Sequence, residues 1–170
     1  MYETLLNKYG VKQLGYYVDS IDESAAAMAK VLGAGPFIDA GESTPEVCVY
    51  RGKPSTMTTR VALGQFAGMQ IELIEVTSEG PNVYSELGHY GLHHLCIWTD
   101  DLEQTVKDFE EAGFEQAVRM TNTGFEVVYF DCREAFGHYV EVSAPQEDFY
   151  SGLAAMAEDW DGEEALMGLC

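Results

Sequence analysis

Two stretches lying 81 residues apart share one strand, turn and helix build, and that repeat limits what this 170-residue chain can fold into. The first, Val11-Lys12-Gln13-Leu14-Gly15-Tyr16-Tyr17-Val18-Asp19-Ser20-Ile21, passes from a β-type run through an acidic turn into a helical segment, Asp22 to Leu32. The second, Tyr90-Gly91-Leu92-His93-His94-Leu95-Cys96-Ile97-Trp98-Thr99-Asp100-Asp101-Leu102, does the same and leads into a helix over Leu102–Ala112. The offset carries Gln13 onto His94, Asp19 onto Asp100 and Ile21 onto Leu102, which reads as an internal duplication. Both copies close on a β-type run after a glycine, around Glu72 in the first and Glu141 in the second. A lone carboxylate among apolar neighbours is costly unless it is hydrogen-bonded, paired or metal-bound, so two at equivalent places demand a reason.

The segments between these landmarks complete the pattern. Short β candidates at Glu46–Tyr50 and Thr58–Gly64, separated by the turn-rich Arg51-Gly52-Lys53-Pro54-Ser55, precede the Glu72 strand. Strands near Gln116–Met120 and Glu126–Asp131 precede the Glu141 strand. The first helix takes Asp19 or Ser20 as its N-cap and stops at Gly33-Ala34-Gly35-Pro36-Phe37. The expected class is therefore α+β, with two βαβββ modules at residues 1–85 and 86–145 joined through the polar linker Thr77–Gly88. Residues 1–10 are a lead-in with a helical turn. Residues 146–170 form an acidic tail, helical around Phe149–Glu158, with Trp160 and Leu166 as packing anchors. That tail either covers a pocket or serves a dimer interface.

Charge excludes some partners. Nine Lys plus Arg against 29 Asp plus Glu give a net charge of −20, which repels nucleic acid and anionic membranes and favours cations, metals included. No apolar run approaches the roughly 20 residues of a membrane span. Cys48, Cys96, Cys132 and Cys170 form no CxxC pair, and Met1-Tyr2-Glu3-Thr4 has neither a basic nor an apolar targeting region, so a cytoplasmic protein with reduced thiols is expected.

Strand alternation puts His94 and Cys96 on one face and His93, Leu95 and Ile97 on the other. A single strand histidine is more often a hydrogen-bonded structural residue than a ligand, but here Gln13, Glu72 and Glu141 stand at repeat-related strand positions. His93 and His138 read as surface or supporting groups. The paired modules, the signatures Gln13-Leu14-Gly15 and His94-Leu95-Cys96, the Asp19 and Asp100 turns, and the endings Ile71-Glu72-Leu73 and Val140-Glu141-Val142 resemble the vicinal oxygen chelate superfamily. That superfamily includes glyoxalase I, methylmalonyl-CoA epimerase, extradiol dioxygenases and bleomycin-resistance proteins, and the resemblance covers residues 11 to 145. It implies a curved mixed sheet around a metal cup, with Gln13, Glu72, His94 and Glu141 as ligands of one divalent ion: zinc, cobalt, nickel, manganese or magnesium.

A set of this kind suits removal of a proton beside a carbonyl, with a carboxylate as base. Two carboxylates on opposite sides of the carbon would invert it, so the expected activity is that of a racemase or epimerase with Glu141 and Glu72 exchanging base and acid roles. The substrate expected is a small-molecule carbonyl compound, an aromatic ketone or an acyl-CoA, by resemblance to methylmalonyl-CoA epimerase and the dihydrodaidzein-type racemases. Tyr16, Tyr17, Phe37, Tyr50, Phe125, Tyr129 and Phe136 are candidates to line its pocket, and Arg51, Lys53 and Arg60 are the one basic cluster near a candidate lid. The alternatives are a glyoxalase I-like lyase acting on a thiohemiacetal and a metal-free small-molecule binding or resistance protein. A homodimer is expected.

Overall fold

The computed structural model describes residues 8–168, so most of the expected lead-in turn, and Cys170, lie outside the described residues. Its first half runs β1 (Val11–Tyr17), α1 (Ile21–Leu32), β2 (Phe37–Ser43), β3 (Val47–Tyr50), β4 (Lys53–Ser55), β5 (Thr59–Phe66) and β6 (Met69–Val76). Its second half runs β7 (Gly91–Trp98), α2 (Leu102–Glu111), β8 (Gln116–Asn122), β9 (Phe125–Phe130), α3 (Arg133–Phe136) and β10 (Tyr139–Ser143), followed by α4 (Glu147–Glu158) and β11 (Leu166–Gly168). All strands join one mixed sheet in the order β11-β2-β5-β6-β1-β7-β10-β9-β8-β3-β4. The expected α+β class with a mixed sheet built by two repeated halves is what the chain adopts.

The two halves meet at β1 and β7, which pair antiparallel with Leu14 opposite Leu95. These residues are one repeat apart, so a pseudo-two-fold axis passes between them and relates the Gln13–Cys96 pair to the His94–Gly15 pair. Parallel pairing then sets β6 beside β1, with Gly15 opposite Glu72, and β10 beside β7, with Cys96 opposite Glu141. Glu72 and Glu141 are thus equivalent by sheet register as well as by local sequence.

Alternation along each strand separates two environments. On one face Ile71 and Leu73 of β6 pack with Ile21 and Ala25 of α1, while Val140 and Val142 of β10 pack with Val106 and Phe109 of α2. Ser20 caps α1 by accepting from the Glu23 amide, and Asp101 caps α2 by accepting from Gln104, each cap contributing about 1 kcal/mol. The other face carries Gln70, Glu72, Tyr139 and Glu141, and a second core of Ile74, Tyr84, Val127 and Tyr129 fills one end of it.

Two strand assignments differ from expectation. Phe37–Ser43 is a strand not among the expected ones; it pairs with β5 through a bulge between Asp39 and Gly41. Val47–Tyr50 does not join the first half's sheet but pairs with β8 of the second. The β3–β4 hairpin turns on Arg51 and Gly52, both at positive φ, as a right-twisted two-residue hairpin requires. The outer edges of both halves are thereby covered: β8 by β3, and β2 by β11 from the tail. Leu166 and Trp160 anchor that tail as expected, with Leu166 in the core beneath α1 and the Trp160 ring against Gly35, where a Cβ would come within 2.8 Å of it.

Candidate metal centre

Glu72 on β6, His94 on β7 and Glu141 on β10 converge because their strands are neighbours around the pseudo-two-fold. His94 Nε2 lies 3.3 Å from Glu72 Oε2 and 3.3 Å from Glu141 Oε2. One ligand atom from each of the three residues falls within 4.8 Å of the others. The imidazole reaches this point across the axis because the residue opposite it is Gly15: a Cβ there would stand 2.0 Å from His94 Cε1. His94 is wholly buried and Glu141 nearly so.

The donor atoms are poorly satisfied by protein alone. Neither His94 Nε2 nor Glu72 Oε2 has a hydrogen-bond partner, though both are buried. Orphaned buried polar atoms of this kind are costly and are retained where something else binds them. One imidazole nitrogen and carboxylate oxygens aimed at a common point fit a divalent cation, so the cluster could hold one. Burial disfavours the charged form of His94, but Glu141 and Glu72 outweigh it and its pKa is raised. Burial also pushes the Glu141 carboxyl up; His94 opposes that and the Glu72 charge adds to it.

Gln13, the remaining expected ligand, is buried and lines the same cavity as Glu72 and Glu141. Its amide nitrogen donates to Gln70 Oε1 at 2.7 Å, which turns its carbonyl oxygen into the atom free to face a ligand. Gln70 was not foreseen, yet it precedes Glu72 by two positions and shares its face, a signal that alternation already carries.

His93 corrects the sequence reading. Strict alternation puts it on the face opposite His94, but Gly15 pairs with His94 while Tyr16 pairs with Leu92, so His93 is the extra residue of a β-bulge. Both rings therefore lie in the interior, with His93 Nδ1 3.0 Å from His94 Nδ1 and His93 Nε2 3.2 Å from the Val83 carbonyl oxygen. The ring stacks on Tyr139 at 4.7 Å, and burial together with His94 holds its pKa well below the ordinary value. His138 is partly buried and bonds only the neighbouring Tyr139 carbonyl.

The cavity beside the cluster has a volume of about 420 Å³. Of the seven aromatic residues put forward for it, Phe125 and Tyr129 line it; Phe37 and Tyr16 belong to the core under α1, and Phe136 is exposed. Tyr84, Phe149 and Tyr150 line it instead, the last two from α4 of the tail. Leu153 of the same helix is packed on Ile38 and Leu63. Among the described residues, no Lys or Arg lines the cavity. Arg51 is engaged by Glu86 and Asp131, Arg60 by Asp22 and Asp39, so the expected basic cluster at a lid does not form.

Among curated proteins, none matches the sequence. Solved structures match the fold. A hypothetical protein from Bacillus halodurans has a TM-score of 0.59 at 18% identity, covering 83% of this chain and 97% of that one. Methylmalonyl-CoA epimerase from Mycobacterium tuberculosis has 0.57 at 18% identity, over 89% and 97%. A Streptomyces coelicolor methylmalonyl-CoA epimerase variant in complex with 2-nitronate-propionyl-CoA has 0.55 at 16% identity, over 81% and 94%. At these identities the likeness is one of fold. The sequence itself matches a family model over residues 12–136, which take in α1, α2 and α3 and two of the three clustered residues, and the chain belongs to the glyoxalase/bleomycin resistance protein/dioxygenase superfamily.

Proposed function

We propose that this protein is a divalent-metal-dependent racemase or epimerase that inverts a carbon acid next to the carbonyl of a small uncharged substrate. The observation that carries the reading is the placing of two carboxylates, equivalent about the pseudo-two-fold, each 3.3 Å from one imidazole nitrogen beside a cavity. Gln13, Glu72, His94 and Glu141 would hold the ion. When bound, a divalent cation supplies positive charge that offsets the negative charge gathering on the substrate carbonyl oxygen as the proton leaves, an effect of several kcal/mol.

The chain's own groups do the rest. In one direction the Glu141 carboxylate takes the proton from the substrate carbon and the Glu72 carboxyl returns one from the other side; in the reverse direction the roles exchange. Tyr129 and Tyr84, their hydroxyls 3.1 Å apart, wall the cavity, and Phe149 and Tyr150 of α4 add two more aromatic rings to its lining. A CoA phosphate or a glutathione carboxylate would find no cation along this wall, whereas a flat aromatic ketone would meet Phe125, Tyr129, Phe149 and Tyr150.

Metal analysis of the purified chain, followed by deuterium uptake from solvent into α-chiral aromatic ketones, tests the reading. The expected result is one divalent ion per chain and exchange with inversion in the wild type, with inversion failing in Glu141→Gln and exchange surviving only for the enantiomer whose proton Glu72 can take. Glutathione-dependent conversion of methylglyoxal without any such exchange would replace it by the lyase reading. A chain that takes up no metal under any loading would overturn it in favour of a binding module.

A further inference from the structure

The bulge at His93 is a device for aiming a proton. His93 Nε2 faces the Val83 carbonyl oxygen at 3.2 Å, and a carbonyl oxygen only accepts, so the bond exists only if His93 carries its hydrogen on Nε2. A neutral His93 then presents a lone pair at Nδ1. His94 Nδ1 lies 3.0 Å from that lone pair, and two lone pairs cannot share a hydrogen bond, so the hydrogen between the rings sits on His94 Nδ1. Among the described residues its ring nitrogens meet no other partner: Tyr139, Tyr84 and Tyr129 surround the ring with centroids at 4.7, 4.5 and 5.6 Å. Both histidines are wholly buried, so water does not substitute for either partner.

We infer that His93 is a positioning residue which, held by the Val83 carbonyl, keeps a hydrogen on His94 Nδ1 and so leaves Nε2, the nitrogen that faces Glu72 and Glu141, as the one that takes the ion. The inference rests on the ligand role given to His94 above and adds the group that holds its other ring nitrogen. Moving the His93 hydrogen to Nδ1 would leave the Val83 carbonyl oxygen facing a lone pair, an unmade buried bond. A ligating histidine ordinarily donates its other ring hydrogen to a carboxylate, carbonyl or water; here a second imidazole takes that place, itself locked by the backbone. The extra residue in β7 is what brings it there, since regular pairing would send His93 to the other face.

Nitrogen NMR of the histidine-labelled full chain, with and without zinc, tests the inference at the rings themselves. The expected spectrum has His93 neutral with hydrogen on Nε2 only, and His94 with hydrogen on Nδ1, whether or not zinc is present. Hydrogen on His93 Nδ1 would overturn the inference. Zinc titration against a chelating dye gives a second readout. His93→Phe keeps the stacked ring but cannot accept, and is expected to bind zinc about 10 to 100 times more weakly. His93→Gln, whose carbonyl can accept from His94, is expected to recover most of that loss. Equal zinc affinity in wild type and His93→Phe would sink the inference, and so would His93→Gln binding no better than His93→Phe. Because neither readout involves substrate, a wild type that binds zinc with the expected tautomers but exchanges no deuterium overturns the racemase reading alone.

Discussion

The pairs β1/β6 and β7/β10 have the same register about the pseudo-two-fold, yet they surround their carboxylates with different side chains. In the first half the cup face carries Gln13, Gly15, Gln70 and Glu72; in the second the equivalent places carry His94, Cys96, Tyr139 and Glu141. The first set is small and amide-lined, and the void at Gly15 is filled from across the axis by the His94 ring. The second set is bulky and backed by His93. Side-chain exposure follows the same division, 16% for Glu72 against 8% for Glu141. A duplicated backbone thus supplies two symmetric carboxylates, while asymmetric side chains let a single imidazole serve both. Glu72 stands on the more open side and Glu141 on the dry one.

The sharpest way to break this comparison is to neutralise one carboxylate at a time. Glu141→Gln and Glu72→Gln are each expected to lower racemisation by about 10²- to 10⁴-fold, the range of a lost general base or acid. They should differ in which enantiomer still exchanges its α-proton with solvent, since each variant retains one base. Identical exchange patterns for both enantiomers in the two variants would show that the carboxylates do not serve opposite sides. Next in size is Gly15→Ala. The new Cβ collides with the His94 ring, so we expect about 3 kcal/mol of destabilisation, the upper part of the overpacking range, together with weakened metal binding. Cys96→Ala, at the equivalent place in the other half, removes a buried sulfur and obstructs nothing, costing about 1 kcal/mol with metal affinity kept. Chemical denaturation and metal titration on this pair decide whether the void at Gly15 belongs to the site.

The repeated strands were legible because each places alternate residues on opposite faces over a long enough run. Glu72 and Glu141 each sit between apolar residues, and the structure sends those neighbours under α1 and α2. What local pattern could not carry was any departure from a period of two. His93 was assigned to the wrong face because one extra residue in β7 resets the alternation, and the strand Phe37–Ser43 was hidden by a bulge over Asp39-Ala40-Gly41. The strand Val47–Tyr50 was recognised but given to the wrong half, since its partner β8 is about 70 residues away and pairing at that distance leaves no local periodicity. Phe149 and Tyr150 belong to the same class: their helix was foreseen, but its seat over the cavity depends on Leu153 meeting Ile38 and Leu63 from the first half.

The outer parts of the halves offer a smaller contrast, readable by pH. Beyond β9, Asp131 is held by Arg133 at 2.7 Å and also by Arg51, and Arg51 bonds Glu86, which accepts from the Tyr139 hydroxyl at 3.1 Å. On β2, Asp39 has one arginine, Arg60 at 2.7 Å, and the Gly41 amide at 2.8 Å. The Arg133 hydrogen bond, opposed by burial and aided by Arg51, holds the Asp131 carboxyl far below the usual carboxylate range; the Arg60 bond lowers that of Asp39. A carboxyl depressed in the folded state contributes its stability above the unfolded pKa of about 3.9 and loses it as pH falls through the folded value. Asp131→Asn is therefore expected to cost about 2 kcal/mol near neutral pH and Asp39→Asn about 1 kcal/mol, within the range for hydrogen bonds to charged groups. In urea denaturation both gaps to wild type should close as pH drops below about 4, with that of Asp131→Asn persisting to lower pH because its folded pKa lies lower. A gap of constant size from neutral to acid pH would mean that the asparagine variants lose packing rather than charge, and equal gaps for the two variants would mean that the second arginine adds nothing to the Asp131 site.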